Sequence, residues 1–502
     1  MKQTFYRKKR KTSYFLFLGL ISTLLLFILY VSLTPPLNEA DEADEPGKRI
    51  PDSNVSTKIK ENNLPIIVID TKGQTIEANL EKETVEINGL VRELRKATEK
   101  YEANMKLYEP NASGYTEIGE NAKPSVETNI TLNIRGQSSL TYDKKQYTIR
   151  LVDEDNEKNP QTLLGMKKHD KWVLNGMYSD KSLIRNYLAY KIGRDTMEYS
   201  PDTRFVEVYF KDGTSESPSE NTYMGVYLLT EKIERGKNRV AIDKNSTDYK
   251  DISFIISRDK IKLGDTILKS DWNKIEEDYV IDGHNNVRAR TVFTTTYPSK
   301  NTITQTDQES IVNYLNLFEY SLRSTEFDDV RGGYRDYIDT TSFINFAMIN
   351  EVMKNIDGGE VSTYFHKDIG GLMKAGPIWD FDQSVGNTPL EEVNEPTGFR
   401  MTNVIWFERL FQDPAFVKQY QRMYRHYRNT IWTNKNFDDL IDEAVLELGP
   451  SINRNREKWY PEDSAKDYQN EIEAMKLFFK ERLSWIDQNI HLVSRIKENA
   501  VE

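Results

Sequence analysis

Asp357, Asp380 and Asp382 stand among turn-forming residues between positions 355 and 387. Asp380 and Asp382 flank Phe381 at the end of a predicted strand, where residues two apart face the same way. Two carboxylates on one side suit a hard cation, because Mg²⁺ usually takes one or two protein carboxylates plus phosphate oxygens. Asp357, at the end of a helical pattern, adds a third. These three aspartates predict a magnesium site for a phosphorylated ligand. The alternative is that they are ordinary turn residues, as aspartates beside glycines often are.

A hairpin is predicted between these acids. Residues 362–365, STYF, have the composition of a strand, Gly370 and Gly371 that of a turn, and residues 372–379, LMKAGPIW, that of the return strand. The helix that precedes Asp357 has an apolar face, formed by Ile344, Ala347, Met348 and Val352. Helix and hairpin would therefore hold the acids on either side of one site.

A second segment has the composition of a phosphate-binding turn. ITLNIR, 130–135, alternates as a half-buried strand does, and the next strand, QYTIRLV, has Lys144 and Lys145 at its entrance. The turn between them consists of Gly136, Gln137, Ser138 and Ser139. Small residues let backbone N–H groups approach phosphate, and a lysine adds a compact charge. Taken alone, the segment favours a hairpin with solvent-facing lysines, and the P-loop motif is absent from the sequence.

Further strands are predicted to complete a sheet, at residues 171–176, 204–210 and 223–233. They carry Glu207 and Glu231 towards the far end of that sheet. Glu207 is flanked by apolar residues, and a half-buried glutamate needs a partner, for which a lysine of the site is predicted. In the intervening helix, Arg185 lies off the apolar stripe. It is predicted to pair with a site acid or with phosphate, or else to form a surface salt bridge.

Four motifs in order carry a resemblance to a known family: RGQSSLTYDKKQYTIRL, KWVLNGMYSDKSLIRNYLAYKIGR, YMGVYLLTEKIERGKNRV and STYFHKDIGGLMKAGPIWDFDQSVGN. Together they resemble the CotH family of spore-coat-type atypical protein kinases, from about Leu64 to the end of the helical C-terminal part. The order of acid, hairpin and Asp-Phe-Asp is similar to the catalytic Asp and Asp-Phe-Gly of protein kinases. The resemblance implies ATP and Mg²⁺, or Mn²⁺, as cofactors.

The resemblance also implies a role for each candidate residue. Asp357 would be the catalytic base, and Asp380 the first metal ligand, with Asp382 and Asn387 as further ligands. The turn described above and Lys145 would cover the ATP phosphates. Glu207 and Glu231 would lie near the adenine edge. In common protein kinases an Asn follows the catalytic Asp by five residues, whereas Ser362 stands there in this sequence, so a second metal is in doubt.

The N-terminus predicts a membrane anchor. Residues 2–11 carry six Lys or Arg, and residues 14–33 form an uncharged run long enough to cross a bilayer as a helix. This run is longer than a signal-peptide core, and the preceding charges would stay in the cytoplasm. We therefore predict a cytoplasmic tail at 1–13, a single-pass signal anchor at 14–33 and an extracytoplasmic remainder. Absence of Cys is compatible with a Gram-positive bacterial surface protein.

Beyond the anchor, composition predicts a disordered stalk at 34–63, a β-rich segment at 64–125 and a kinase-like domain at 126–495. Residues 91–109 fit either a helix or strands, and residues 245–305 are interpreted as an insertion without assignable chemistry. Without the tail, 62 basic residues face 79 acidic ones, a net charge near −17. That charge excludes nucleic acid and anionic lipid as partners. The five scattered histidines make a zinc site improbable.

The predicted fold is α+β and two-lobed, with a β-rich N-terminal lobe, a helical C-terminal lobe and nucleotide between them. The predicted function is transfer of the γ-phosphate of ATP to Ser or Thr hydroxyls of surface or coat-type proteins. The alternative is a catalytically inactive scaffold that binds cell-wall or matrix components, and a paired-carboxylate glycosidase is a weaker one. The sequence leaves the protein substrate and the oligomeric state open.

Overall fold

The computed structural model describes residues 62–494, except for 88–89, 98, 120, 212–221, 247–250, 271–290, 389 and 391–393. The predicted tail, anchor and nearly all of the predicted stalk lie outside the described residues. None of the described helices is long and apolar enough to cross a membrane. The described residues belong to one compact unit.

Strands dominate the chain up to about residue 300, and two further strands follow. In chain order they are β1 Ile66–Asp70, β2 Leu80–Ile87, β3 Leu90–Ala97, β4 Tyr101–Tyr108, β5 Val126–Arg135, β6 Gln146–Val152, β7 Lys171–Asn175, β8 Thr203–Lys211, β9 Tyr223–Glu231, β10 Phe254–Lys260, β11 Ile267–Leu268, β12 Thr291–Tyr297, β13 Thr363–Lys367 and β14 Lys374–Ala375. Most of residues 91–109, for which the sequence allowed a helix or strands, therefore belong to β3 and β4.

Seven of these strands close into a barrel in the order β1-β4-β5-β6-β7-β9-β8. The barrel closes where β1 pairs in parallel with β8, and every other neighbouring pair in it is antiparallel. Alternate residues of each strand fill the interior, as in β5, where Ile130, Leu132 and Ile134 are buried. The period-two pattern that predicted this strand is thus the pattern that fills the barrel.

The helices are α1 Arg185–Thr196, α2 Gln305–Arg323, α3 Thr340–Val352, α4 Phe407–Leu410, α5 Pro414–Thr430, α6 Asn434–Leu448, α7 Ser451–Trp459 and α8 Ala465–Asn489. Buried residues of these helices belong to one apolar cluster, which includes the predicted apolar face of α3. Thr304 and Ser464 cap α2 and α8, each in a capping box with the aspartate three residues later. The architecture is mixed α+β, with a β-rich region and a helical C-terminal part.

A second sheet joins the two parts in the order β11-β12-β10-β13-β14. The predicted hairpin is present as β13 and β14, with its turn at Gly370 and Gly371. Three of its strands come from residues 245–305, so this segment is part of the central architecture and not an appended insertion. It escaped interpretation because β10 pairs with β13, more than a hundred residues further along the chain.

The return strand is shorter than predicted, since β14 ends at Ala375. Asp380 and Asp382 therefore lie in a loop, and the prediction that they project together from a strand is wrong. Asp380 has a positive φ of 67°, a left-handed conformation that a strand excludes. The intervening Phe381 is buried in the core as predicted. A turn, and not a strand, presents the two carboxylates.

Candidate active site

A polar cavity of about 130 Å³ lies where β5, β7 and β10 end. Its wall includes Asp357, Asp380 and Asp382, together with the turn Gly136–Ser139. Loops more than two hundred residues apart in sequence thus meet at one place. The cavity also contains cationic side chains, from Arg135, Lys260 and Lys262.

Asp380 is held through its backbone and its carboxylate. Its N–H donates to the hydroxyl of Tyr190 at 3.3 Å, and its carbonyl accepts from Nδ2 of Asn355 at 3.4 Å. The hydroxyl of Ser362 donates to Oδ2 of Asp380 at 3.1 Å. The next residue is fixed as well, because the N–H of Phe381 donates to Oδ1 of Asn186 at 2.7 Å. These contacts hold the strained residue against the cavity.

Asp382 shares the cavity with Asp380 and accepts a hydrogen bond from the hydroxyl of Ser179. Burial raises the pKa of Asp382, and the charge of Asp380 raises it further. Two neighbouring carboxylates that repel each other favour a bound cation, because the cation removes the repulsion. The pair therefore has the chemistry of a site for a hard divalent metal.

Asn387 supports this loop from behind. Its side-chain amide donates to the carbonyl of Ser179 at 2.9 Å and to that of Asp382 at 2.6 Å. It is not among the residues that line the cavity. The structure thus places Asn387 as a brace between the loop and Ser179.

Arg185 is buried and anchors the end of the same loop. Its guanidinium pairs with Asp180 at 2.6 Å and with Glu471 at 2.7 Å. It also donates to the carbonyl of Ser384 at 2.9 Å and that of Val385 at 3.1 Å. Arg185 therefore pairs neither with the aspartates of the cavity nor in a surface salt bridge. It links α1 to α8 and to the loop that carries Asp380 and Asp382.

Asp357 lies in the turn that follows α3. Its N–H donates to Oδ1 of Asn355 at 3.2 Å, and its carbonyl accepts from Glu360 and Val361. Burial raises the pKa of the Asp357 carboxyl to about 7, with a further contribution from Asp380 and an opposing one from Lys260. A carboxyl with this pKa can accept a proton at neutral pH, as a general base must.

The turn Gly136–Ser139 requires glycine at its first position. Gly136 has a φ of 113°, and a Cβ there would lie 1.8 Å from Oγ of Ser139. Nε2 of Gln137 donates to the carbonyl of Ile261 at 2.9 Å, which ties the turn to the end of β10. Nζ of Lys260 lies 3.5 Å from Oγ of Ser138. The turn and β10 therefore form one continuous wall.

Lys145 does not reach the cavity. Its ammonium donates to the carbonyl of Leu140 at 2.9 Å and to that of Tyr142 at 2.5 Å, so it closes its own turn. The cations that line the cavity are Arg135, directly before Gly136, and Lys260 and Lys262 beyond it. Sequence reasoning missed the two lysines because they belong to the segment 245–305, whose position next to the acids depends on long-range pairing.

The two predicted glutamates lie elsewhere in the barrel. Glu207 is buried and pairs with Arg454 of α7 at 2.9 Å, so the predicted lysine partner is wrong. Its Oε1 also accepts from the hydroxyl of Tyr223 at 2.5 Å. Glu231 pairs with Arg239 at 2.7 Å. Both glutamates are neutralised within the fold, and neither lines the cavity.

Metal binding must rest on few protein ligands. Within the described ranges, no group of three or more His, Cys, Asp and Glu is placed to hold a metal ion. Mg²⁺ does not need such a group, since it keeps waters and binds phosphate oxygens beside one or two carboxylates. Asp380 and Asp382 fit that requirement, and the lysines of the cavity fit the phosphates.

The comparison with protein families agrees with the motifs. The family model described as CotH kinase protein matches residues 132–486, more than two thirds of the chain. The match includes the turn Gly136–Ser139, the second sheet and the cavity residues Asp357, Asp380 and Asp382. No curated protein matches the chain. The chain belongs to the CotH kinase protein family.

Proposed function

We propose that this protein is an ATP-dependent phosphotransferase that phosphorylates Ser or Thr hydroxyls of proteins. The observation that carries the proposal is the meeting of three aspartates, a glycine turn and cationic side chains in one cavity of a CotH kinase protein chain. Phosphoryl transfer is mostly positioning and charge neutralisation, which these groups can supply. In this proposal the barrel and the helical part are the two lobes of a kinase-like fold.

The residues divide between the two sides of the reaction. Mg²⁺–ATP, when bound, supplies the phosphoryl group and neutralises its charge. Asp380 and Asp382 would hold the cation, while Lys260 and the turn at Gly136 would hold phosphate oxygens. Asp357 would take the proton of the substrate hydroxyl as its oxygen bonds to the γ-phosphorus. The bond from that phosphorus to the β-phosphate oxygen breaks, and ADP leaves.

We also propose that the enzyme is anchored in the cell membrane through residues 14–33 and works outside the cytoplasm. The support is the sequence pattern of a basic tail followed by an uncharged run. Its protein substrates would then be surface or coat-type proteins, which meet the cavity on the same side of the membrane.

An inactive scaffold is the second candidate, and one observation favours it. Lys145, the lysine expected at the phosphates, donates its hydrogen bonds to carbonyl groups of its own turn. A kinase-like chain without a phosphate-binding lysine would keep the fold and lose turnover. The position of Lys260 beside Ser138 argues for activity instead.

The test is transfer of labelled γ-phosphate to a Ser-rich protein, or to the chain itself, with Mg²⁺ and with Mn²⁺. Incorporation by the wild type, abolished in Asp380→Ala, supports the phosphotransferase. Lack of incorporation with both cations, in protein that is folded by circular dichroism, would favour the scaffold.

A further inference from the structure

A second and larger cavity lies apart from the aspartates, between the end of β12, the start of α2 and the segment after β9. Its volume is about 720 Å³, within the range of ligand-binding clefts. None of its lining residues also lines the first cavity. We call it the basic groove, defined by its four cationic residues, Lys158, Lys171, Arg235 and Lys244.

The charge of the basic groove is opposite to that of the chain. The whole chain has a formal net charge of −11, yet four cations and only two acids, Glu234 and Asp307, line this groove. Both acids are already engaged. Glu234 pairs with Lys171 at 2.8 Å and with Lys232 at 2.9 Å, and Asp307 accepts from the N–H and hydroxyl of Thr304 in the cap of α2.

The remaining cations are available to a ligand. Lys158 and Lys244 are exposed, and in the described part of the chain no carboxylate lies within ion-pair distance of either. The central carbon of the Arg235 guanidinium lies 5.2 Å from the ring centroid of Tyr297, and Nη1 donates to the carbonyl of Ile242 at 3.3 Å. These contacts orient a planar donor at the wall of the groove.

Hydroxyl groups complete the lining. Besides the cations, the groove is lined by seven Ser or Thr residues: Ser246, Thr296, Ser299, Thr302, Thr304, Thr306 and Ser310. Three of them, Thr302, Thr304 and Ser310, already donate their hydroxyl hydrogen within the protein. A phosphorylated side chain has three acceptor oxygens and a charge between about −1.5 and −2, so it suits several cations and hydroxyl donors together. A single carboxylate would use fewer of these donors.

We propose that the basic groove binds phosphoserine or phosphothreonine side chains of a polypeptide. β7 connects it to the first cavity, since Lys171 lines the groove and Asn175, at the other end of the strand, lines the cavity. Four residues of strand separate the two by about 13 Å. In this proposal, one polypeptide that reaches both ends of β7 would place a phosphorylated residue in the groove and a hydroxyl near Asp357.

This arrangement would let the enzyme retain a substrate that it has already phosphorylated and modify it again. That use of the groove rests on the proposed kinase activity, whereas the binding of phosphorylated side chains does not. Repeated phosphorylation would be most effective on substrates with several Ser or Thr residues in one extended segment.

The experiment measures binding of three fluorescent peptides to the full-length protein by anisotropy, without nucleotide. The peptides share a Gly-Ser sequence and carry phosphoserine, serine or glutamate at the same two positions. We expect the phosphoserine peptide to bind at least tenfold more tightly than the other two, and to weaken as salt is raised. Equal affinity of the glutamate or serine peptide would overturn the assignment.

Paired variants locate the site. Lys158→Glu combined with Lys244→Glu should weaken phosphopeptide binding at least tenfold. Lys418→Glu combined with Lys466→Glu, the same charge change at exposed positions on α5 and α8, should leave it unchanged. Asp380→Ala should also leave it unchanged, which separates the groove from the nucleotide site. If the groove pair binds like the control pair, the proposal fails, even where phosphate transfer is intact.

Discussion

At the scale of single residues, the site is defined by three aspartates with different surroundings. Asp380 and Asp382 repel each other across a short loop, whereas Asp357 is recessed in a separate turn. Asp380 and Asp382 are therefore suited to binding a cation, and Asp357 is suited to accepting a proton. This division of roles follows from burial and charge and can be tested on each residue separately.

Asp357 should make the stability of the protein depend on pH. Its pKa is about 7 in the folded chain and about 4 when unfolded, so the folded state binds the extra proton between these values. Folding stability should fall as pH rises through this window, by up to roughly 4 kcal/mol. Asp357→Asn cannot ionise and should be more stable than the wild type at pH 8, with little difference at pH 4.

The measurement is urea unfolding at both pH values with a chelator present. Asp438→Asn, an exposed aspartate on α6, serves as the control and should follow the wild type. If Asp357→Asn and the wild type keep the same difference in free energy of unfolding at pH 4 and pH 8, the raised pKa of Asp357 is contradicted.

Lys260, and not the predicted Lys145, should contribute to ATP binding. Lys260→Met removes a cation from the cavity wall and should weaken ATP binding by about ten- to a hundredfold, the effect of one charge-assisted contact. Lys145→Met should leave the affinity unchanged and lower the melting temperature, since it loses its two backbone carbonyls. The ATP affinity of both variants is measured by calorimetric titration. Weaker binding by Lys145→Met, with unchanged binding by Lys260→Met, would show that Lys145 and not Lys260 contacts the nucleotide.

At the scale of elements, the turn between β5 and β6 depends on its glycine. Gly136→Ala would place a Cβ against Ser139 in a backbone conformation that L residues rarely adopt. We expect loss of both nucleotide affinity and thermal stability. Gly114→Ala shares the positive φ but meets nothing within 4 Å, so it should affect stability less and nucleotide binding not at all.

A double variant separates the two causes. Ser139→Gly in the Gly136→Ala background removes the clash while the backbone strain remains, and it should recover part of the lost stability. If Gly136→Ala binds ATP like the wild type, the turn does not contact phosphate.

Local sequence patterns predicted the strands and turns of the site better than the residues that contact them. The alternation of apolar and polar residues predicted β5, and the small residues from Gly136 to Ser139 predicted the turn that follows. Both signals depend only on adjacent positions in the sequence. The partner of Glu207 could not be found this way, since Arg454 comes from a helix almost 250 residues later. The loop around Asp380 was mistaken for a strand, because its left-handed residue is an aspartate and carries no glycine signal.

At the scale of the whole molecule, the barrel, the second sheet and the helices share the cavity between them. The α+β class was predictable, because strand and helix patterns occupy different halves of the sequence. The barrel closure was not, since it depends on β1 pairing with β8 across some 140 residues. The role of residues 245–305 was hidden for the same reason.

The proposed topology makes a prediction about intact cells. Protease added outside should digest the part of the chain beyond residue 33 and leave a small N-terminal fragment with the membrane. A tag at the C-terminus and one at the N-terminus, followed by immunoblotting, report the two ends. A cytoplasmic protein that survives the treatment is the control for cell integrity, and survival of the C-terminal tag would reverse the orientation.

The central claim is that Asp380 binds the metal of the nucleotide and Asp357 serves the substrate hydroxyl. The direct measurement pairs ATP calorimetry, with and without Mg²⁺, with transfer of labelled γ-phosphate in the same preparations. Asp380→Ala should lose magnesium-dependent ATP binding and transfer together. Asp357→Asn should keep ATP bound and lose transfer by a factor of about 10² to 10⁴. Wild-type ATP affinity in both variants, with no transfer by the wild type under Mg²⁺ or Mn²⁺, would contradict the claim.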